Sequence, residues 1–142
     1  MLDTLMKIGA YRVEHFEIDY RENPDAFGFY IRGEKSEKGV YCRDAKSQLY
    51  AGLMLIQSKK MMGNLRGIYV DVDELSNLER PAYVQMKADL INGLFRRIFV
   101  LDASALWAPG IVAEDLHRLY KAAGGFVLLV CQEGECTQKS IF

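Results

Sequence analysis

Histidine and cysteine are scarce in this chain. Only His15 and His117, with Cys42, Cys131 and Cys136, occur among its 142 residues. A zinc site draws about four ligands from such residues, and neither histidine stands at ligand spacing from a cysteine. No metal site is expected, and no cofactor. The sparse, odd set of cysteines supplies no disulfide framework. Reduced thiols in a cytoplasmic protein are the expected state. The chain contains neither G-x-G-x-x-G nor G-x-x-x-x-G-K-[ST], which argues against a glycine-cradled nucleotide phosphate. No apolar stretch approaches the length needed to span a bilayer. The opening MLDTLMKIGAYRVEHF lacks the apolar core of a signal peptide. A membrane is therefore not an expected partner.

Excess charge is also missing. Eighteen basic and 19 acidic residues leave a formal net charge of -1, so no overall basic field advertises nucleic acid. The basic pairs Lys59-Lys60 and Arg96-Arg97 read as solvated surface. With 50% hydrophobic and 26% charged residues, the composition is that of one globular domain with its own core.

Short apolar runs alternate with helical stripes. Phe27 to Ile31 reads as a strand. Asp44 to Met62 reads as a helix, with Ala45, Leu49, Leu53 and Ile56 on its apolar face, Asp44 as a cap, and Gly63-Asn64 as its end. Gly67 to Val72 is a second strand. Pro81 suits the first turn of the next helix, where Val84, Ala88 and Ile91 share a face and Gly93 closes. Ile98 to Leu101 is a third strand. Pro109 precedes a helix with the stripe Val112, Leu116, Leu119 and Ala123, stopped by Gly124-Gly125. Phe126 to Cys131 is a last strand, apolar enough to be covered on both faces. This order predicts an α/β fold: a mostly parallel β-sheet with helices on both faces. Residues 1–26 form an N-terminal extension ahead of a domain at 27–142. Within it Tyr11 and Val13 share one parity, and Phe16, Ile18 and Tyr20 the other. An extra strand with a bulge near His15 accounts for the slip. The turn-like Arg21 to Asp25 would allow a hairpin onto the Phe27 strand, although a first strand in such a sheet is often central, which would leave no free edge.

Three stretches are more specific than the order of elements. These are FYIRGEKS, GIYVDVDELSNLERPAYVQM and INGLFRRIFVLDASALWAP. From Phe27 to about Glu133 the chain resembles the catalytic domain of the serine recombinases, the resolvase and invertase family that includes large transposon and phage integrases. The first stretch is similar to the family's first strand, tyrosine, any, arginine, valine, serine. The second is similar to its second strand, mobile loop and the arginine-proline opening a helix. The third is similar to its catalytic loop, which ends in serine or aspartate, arginine, leucine, any, arginine. The resemblance implies a resolvase-like fold and a reaction in which a serine attacks a DNA phosphodiester, forming a 5′-phosphoserine link. Arginines suit the crowded, anionic phosphorus, because a guanidinium stays charged and grips phosphate oxygens as a fork.

Position by position, the match is incomplete. Arg32 and Arg80 stand where the family has arginines, and Asp71 where it has an aspartate, although Asp71 equally suits a turn and Arg80 a surface ion pair with Glu79 or Asp73. Glu34 occupies the nucleophile position, where it supplies no serine hydroxyl and repels phosphate. Ser36, two residues on, would be displaced by several ångströms. Ser104 fits the serine-or-aspartate position, but Ala105 and Ala108 replace the two catalytic-loop arginines, with Trp107 between them. The long helix and DNA-binding domain that follow in family members are not seen in this chain.

The resemblance thus implies a catalytically inactive domain related to DNA strand exchange, acting as an interaction or regulatory module or persisting as a mobile-element remnant. DNA would be held only weakly by this chain alone. A second copy or a partner recombinase would be its companion. Two alternatives stay open: an active recombinase whose site is remade with Ser36 or Ser104, and an unrelated α/β ligand-binding domain.

Overall fold

The computed structural model describes residues 11–16, 23–33, 43–132 and 135–139. They form an α/β fold of one mixed six-stranded sheet and three α-helices. The strands are β1 (Tyr11–His15), β2 (Phe27–Gly33), β3 (Leu65–Val72), β4 (Arg97–Val100), β5 (Val127–Gln132) and β6 (Glu135–Lys139), and the helices are α1 (Arg43–Ser58), α2 (Pro81–Ile91) and α3 (Ile111–Ala123). The spatial order is β1-β3-β2-β4-β5-β6. The pairings of β2 with β3, β2 with β4 and β4 with β5 are parallel, and both outermost pairings are antiparallel.

Strand pleating sorts side chains by parity. Phe27, Phe29 and Ile31 of β2 join Val70 and Val72 of β3, Phe99 of β4, and Ala45 and Ile56 of α1 in one apolar cluster. Tyr30 and Tyr69 belong to a second cluster with Ile98, Val100, Leu128 and Val130, together with Ala82, Met86 and Leu90 of α2 and Leu116 and Leu119 of α3. Gly52 lets α1 come down onto the Phe29 ring, because a Cβ there would collide with it.

Several sequence expectations need correction. The N-terminal segment does form a strand, but β1 pairs with β3, with Tyr11 opposite Asp71 and His15 opposite Gly67, and not with the Phe27 strand. Both edges of β2 are already taken by β3 and β4, so the outer edge of β3 is the one that can accept a strand. Ile18 and Tyr20 lie outside the described residues. The turn before β2 is closed by Ala26 N–H donating to Asn23 O. Helix α1 begins at Arg43, placing Asp44 inside it, and ends at Ser58. Lys60 takes the left-handed conformation, φ 57°, and Met61 N–H reaches back to Ile56 O. The helix therefore closes through a reversed turn before Gly63 is reached.

The apolar face assigned to α2 is also wrong. Val84 and Ile91 are 45% and 50% exposed, and Ala88 is exposed too. The buried residues are Ala82, Tyr83, Met86, Asp89 and Leu90, a face offset by about half a turn that carries polar groups with partners. By contrast, α3 buries Val112, Leu116 and Leu119 as its stripe requires. It stops at Gly124, φ 76°, which few other residues adopt. Strand β6 was not foreseen, because Glu135 to Lys139 holds one apolar residue and no alternation. It places Cys136 opposite Cys131, and the two are joined in a disulfide, where reduced thiols had been expected.

Candidate functional site

The carboxyl ends of parallel strands are where open α/β sheets place their sites. Tyr30, Arg32, Asp71 and Arg80 come together there. Tyr30 and Arg32 of β2 share the parity of Tyr69 and Asp71 of β3, with Arg32 beside Asp71 in the register.

Asp71 is fully buried. Its Oδ1 accepts from Ala82 N–H at 2.9 Å; its Oδ2 accepts from Tyr83 N–H and from the Tyr30 hydroxyl, both at 2.8 Å. These two amides belong to the first turn of α2. Arg80, at the N-cap position, offers them no side-chain acceptor, so the carboxylate of a neighbouring strand does the capping. Burial raises the Asp71 pKa above the usual aspartate value, while the bonds from Ala82, Tyr30 and Tyr83 and the charge of Arg80 pull it back. Asp71 is thus a structural cap, more than the turn residue or the isolated family match that its sequence position allowed.

Arg80 is fully buried as well, not a surface residue paired with Glu79 or Asp73. Its Nη1 donates to Leu75 O at 2.7 Å and Glu74 O at 3.4 Å. The guanidinium lies 4.4 Å from the centre of the Tyr83 ring and 5.8 Å from that of Tyr30, which a weakly hydrated planar cation tolerates. Its Nε and Nη2 are buried with no hydrogen-bond partner among the described residues. Such orphan donors on a charged group are costly.

Arg32 is half-buried and ties two loops together. Its Nη1 donates to Asp73 O at 3.2 Å, after β3, and its Nη2 to Ser104 O at 3.5 Å, after β4. The Tyr30 hydroxyl senses the whole group: burial and the adjacent Asp71 push its pKa well above the usual tyrosine range, against the opposing charges of Arg80 and Arg32.

The catalytic-loop match sits in a 3-10 turn at Ala103–Ala105, where Asp102 Oδ1 accepts from Ser104 N–H at 3.0 Å. Ser104 is exposed, Ala105 buried and Ala108 half-buried. Trp107 packs against the cluster that holds Tyr30 and Tyr69. Neither alanine carries a donor for an anion. Glu34 and Ser36 lie outside the described residues.

No protein-family model, curated protein or solved structure matches this chain. The site is therefore described by its own geometry. It gathers two guanidinium charges, Arg80 and Arg32, within electrostatic reach of the Tyr30 hydroxyl. Among the described residues no group of three or more histidine, cysteine or acidic side chains could hold a metal ion, and no helix is long and apolar enough to cross a membrane.

Two polar clusters escaped the sequence reading, both hung on α2. Asp89 is buried and accepts from the Tyr69 hydroxyl at 2.6 Å and Gln85 Nε2 at 3.0 Å, with His15 Nε2 at 2.8 Å. Asp115 of α3 accepts from the Tyr83 hydroxyl at 2.5 Å and Lys87 Nζ at 3.1 Å. Burial pushes the Asp115 carboxyl up, but the bonds from Tyr83 and Lys87 and the charges of Lys87 and Arg118 outweigh it, so its pKa is lowered. The i, i+4 pairs 83/87 and 85/89 were the available signal. They lay on the face taken to be solvent.

Proposed function

We propose that this chain is a catalytically silent domain of the serine recombinase type, acting as an interaction or regulatory module. On this reading the sheet is the mostly parallel core of a resolvase-like fold, with helices on both faces, in a soluble cytoplasmic protein. A phosphate-like anion is held between Arg80 and Arg32. DNA binds this chain alone only weakly, since the net charge is -1 and few phosphate contacts give a shallow salt dependence.

The observation that carries the reading is Arg80. A fully buried guanidinium keeps two nitrogens without partners among the described residues, beside Tyr30. A buried cation that only stabilised the fold would be expected to have its donors satisfied. The absence of chemistry rests on Ala105 and Ala108, which have nothing to stabilise a pentacoordinate phosphorus, and on Glu34 in place of the nucleophile.

The test is incubation with supercoiled plasmid carrying candidate recombination sites, a denaturing quench, and a search for protein linked to DNA 5′ ends. An active catalytic domain of similar length serves as control. No adduct is expected. A phosphoserine adduct abolished by Ser36→Ala or Ser104→Ala would establish a remade active site instead. Inorganic phosphate provides the second measurement. At ten times its Kd it should stabilise the wild type by about 1.4 kcal/mol, and Arg80→Met should abolish that increment. An equal increment in both proteins removes Arg80 from the site.

A further inference from the structure

We propose that the Cys131–Cys136 bridge is a reversible clasp that fastens β6 to the sheet and releases it on reduction. The two cysteines face one another across the antiparallel β5–β6 pair, and only five positions separate them in sequence. Cys131 is fully buried, while Cys136 is half-buried against the cluster of Phe27, Phe29 and Phe99. Cys136 is the one apolar residue of β6, which reads Glu-Cys-Thr-Gln-Lys, and among its described side chains Thr137 and Gln138 are exposed. Beside its ladder, Thr137 Oγ1 donates to Val130 O at 3.5 Å. Backbone pairing of a solvated edge strand is close to break-even against the entropy of ordering it.

Loop length separates a clasp from a general staple. Closing so short a loop favours the closed state roughly 40-fold in the chain-entropy model, against roughly 3,000-fold for a loop of about 100 residues. The bridge therefore adds less to the whole domain than a long-loop staple would, while the strand it touches has little else to hold it.

The step needs a dithiol reductant. Its thiolate attacks Sγ of Cys136, the more accessible sulfur; the S–S bond breaks, and Cys131 leaves as a thiolate that takes up a proton. The second thiol of the reductant then attacks the mixed disulfide, and Cys136 departs as a thiol. Two electrons pass to the protein, and the reductant becomes a cyclic disulfide. With β6 released, β5 becomes the edge of the sheet, its backbone groups open to pairing.

Hydrogen exchange of the full chain, read by mass spectrometry with and without dithiothreitol, tests the clasp. Reduction should speed exchange of the β6 amides and of the β5 amides facing them by roughly 40-fold through local opening, while β2 and β3 stay far better protected, at the level set by global unfolding. Cys136→Ser should reproduce the reduced pattern without reductant, and avoids altering the buried Cys131. Three results would overturn the proposal. One is β6 protection that survives both reduction and Cys136→Ser. Another is β6 amides that, once reduced, exchange no faster than those of β2 and β3, the mark of a strand that opens only with the whole domain. The third is three free thiols by alkylation after equilibration with oxidised glutathione.

Discussion

Removing the Asp71 carboxylate should uncouple α2 from the sheet. In Asp71→Ala three buried donors lose their acceptor at once: Ala82 N–H, Tyr83 N–H and the Tyr30 hydroxyl. A buried unsatisfied donor costs about 1–3 kcal/mol, so the gross loss is about 3–9 kcal/mol. Two terms offset it. The carboxylate itself is disfavoured by burial, as its raised pKa records, and the Tyr30 hydroxyl can turn. A net loss of about 4 kcal/mol is expected, large against the ~5–15 kcal/mol that holds an ordinary domain. Asp71→Asn should be milder, at about 2 kcal/mol. Its oxygen still serves Ala82, and its amide can donate to the Tyr30 oxygen, so chiefly Tyr83 N–H is stranded. The substitution also removes a negative charge that acts on buried Arg80. Asp71→Asn should therefore cost less in an Arg80→Met background, by a coupling of about 0.5–3 kcal/mol. Urea unfolding of the four proteins at pH 7, followed by circular dichroism with unchanged m-values, measures each quantity. An Asp71→Ala protein within about 1 kcal/mol of wild type, or a coupling of zero, would refute the account of this site.

The orientation of α2 is checked by contrast: Val84→Ser and Ile91→Ser should each cost under about 1 kcal/mol, whereas Met86→Ala should cost about 2–5 kcal/mol; the reverse order would restore the face expected from the sequence. Asp115→Asn should cost about 1–2 kcal/mol at pH 7, since it weakens the bonds from Tyr83 and Lys87. Because the folded-state pKa of Asp115 is lowered, that stability is present above the unfolded pKa, near 3.8, and is lost as pH falls through the folded value. The gap between wild type and Asp115→Asn should thus close below about pH 4; a gap unchanged down to pH 2 would count against the pairing.

Local pattern was enough to reveal most strands and helices, because the physics that creates them is local. Runs such as Phe27 to Ile31 and Ile98 to Val100 have too little polarity to lie on a surface. Pro81, Gly93 and Gly124 punctuate helices through their own backbone preferences. No local pattern marked Tyr30, Arg32, Asp71 and Arg80 as neighbours. The folded chain decided what no local pattern carries. Strand β1 went to β3 because β2 had no free edge. Helix α2 buried Tyr83 and Asp89 and exposed Val84 and Ile91, because partners from β1, β3 and α3 could satisfy those polar groups. Asp71 became a helix cap across a gap of eleven residues, as its bond to Ala82 shows. Arg80 lost its solvent, and Cys136 met Cys131 on a strand without an apolar pattern. Hydrophobic periodicity reports what water would expel from a lone segment; which polar groups can go with it depends on the neighbours that tertiary packing supplies.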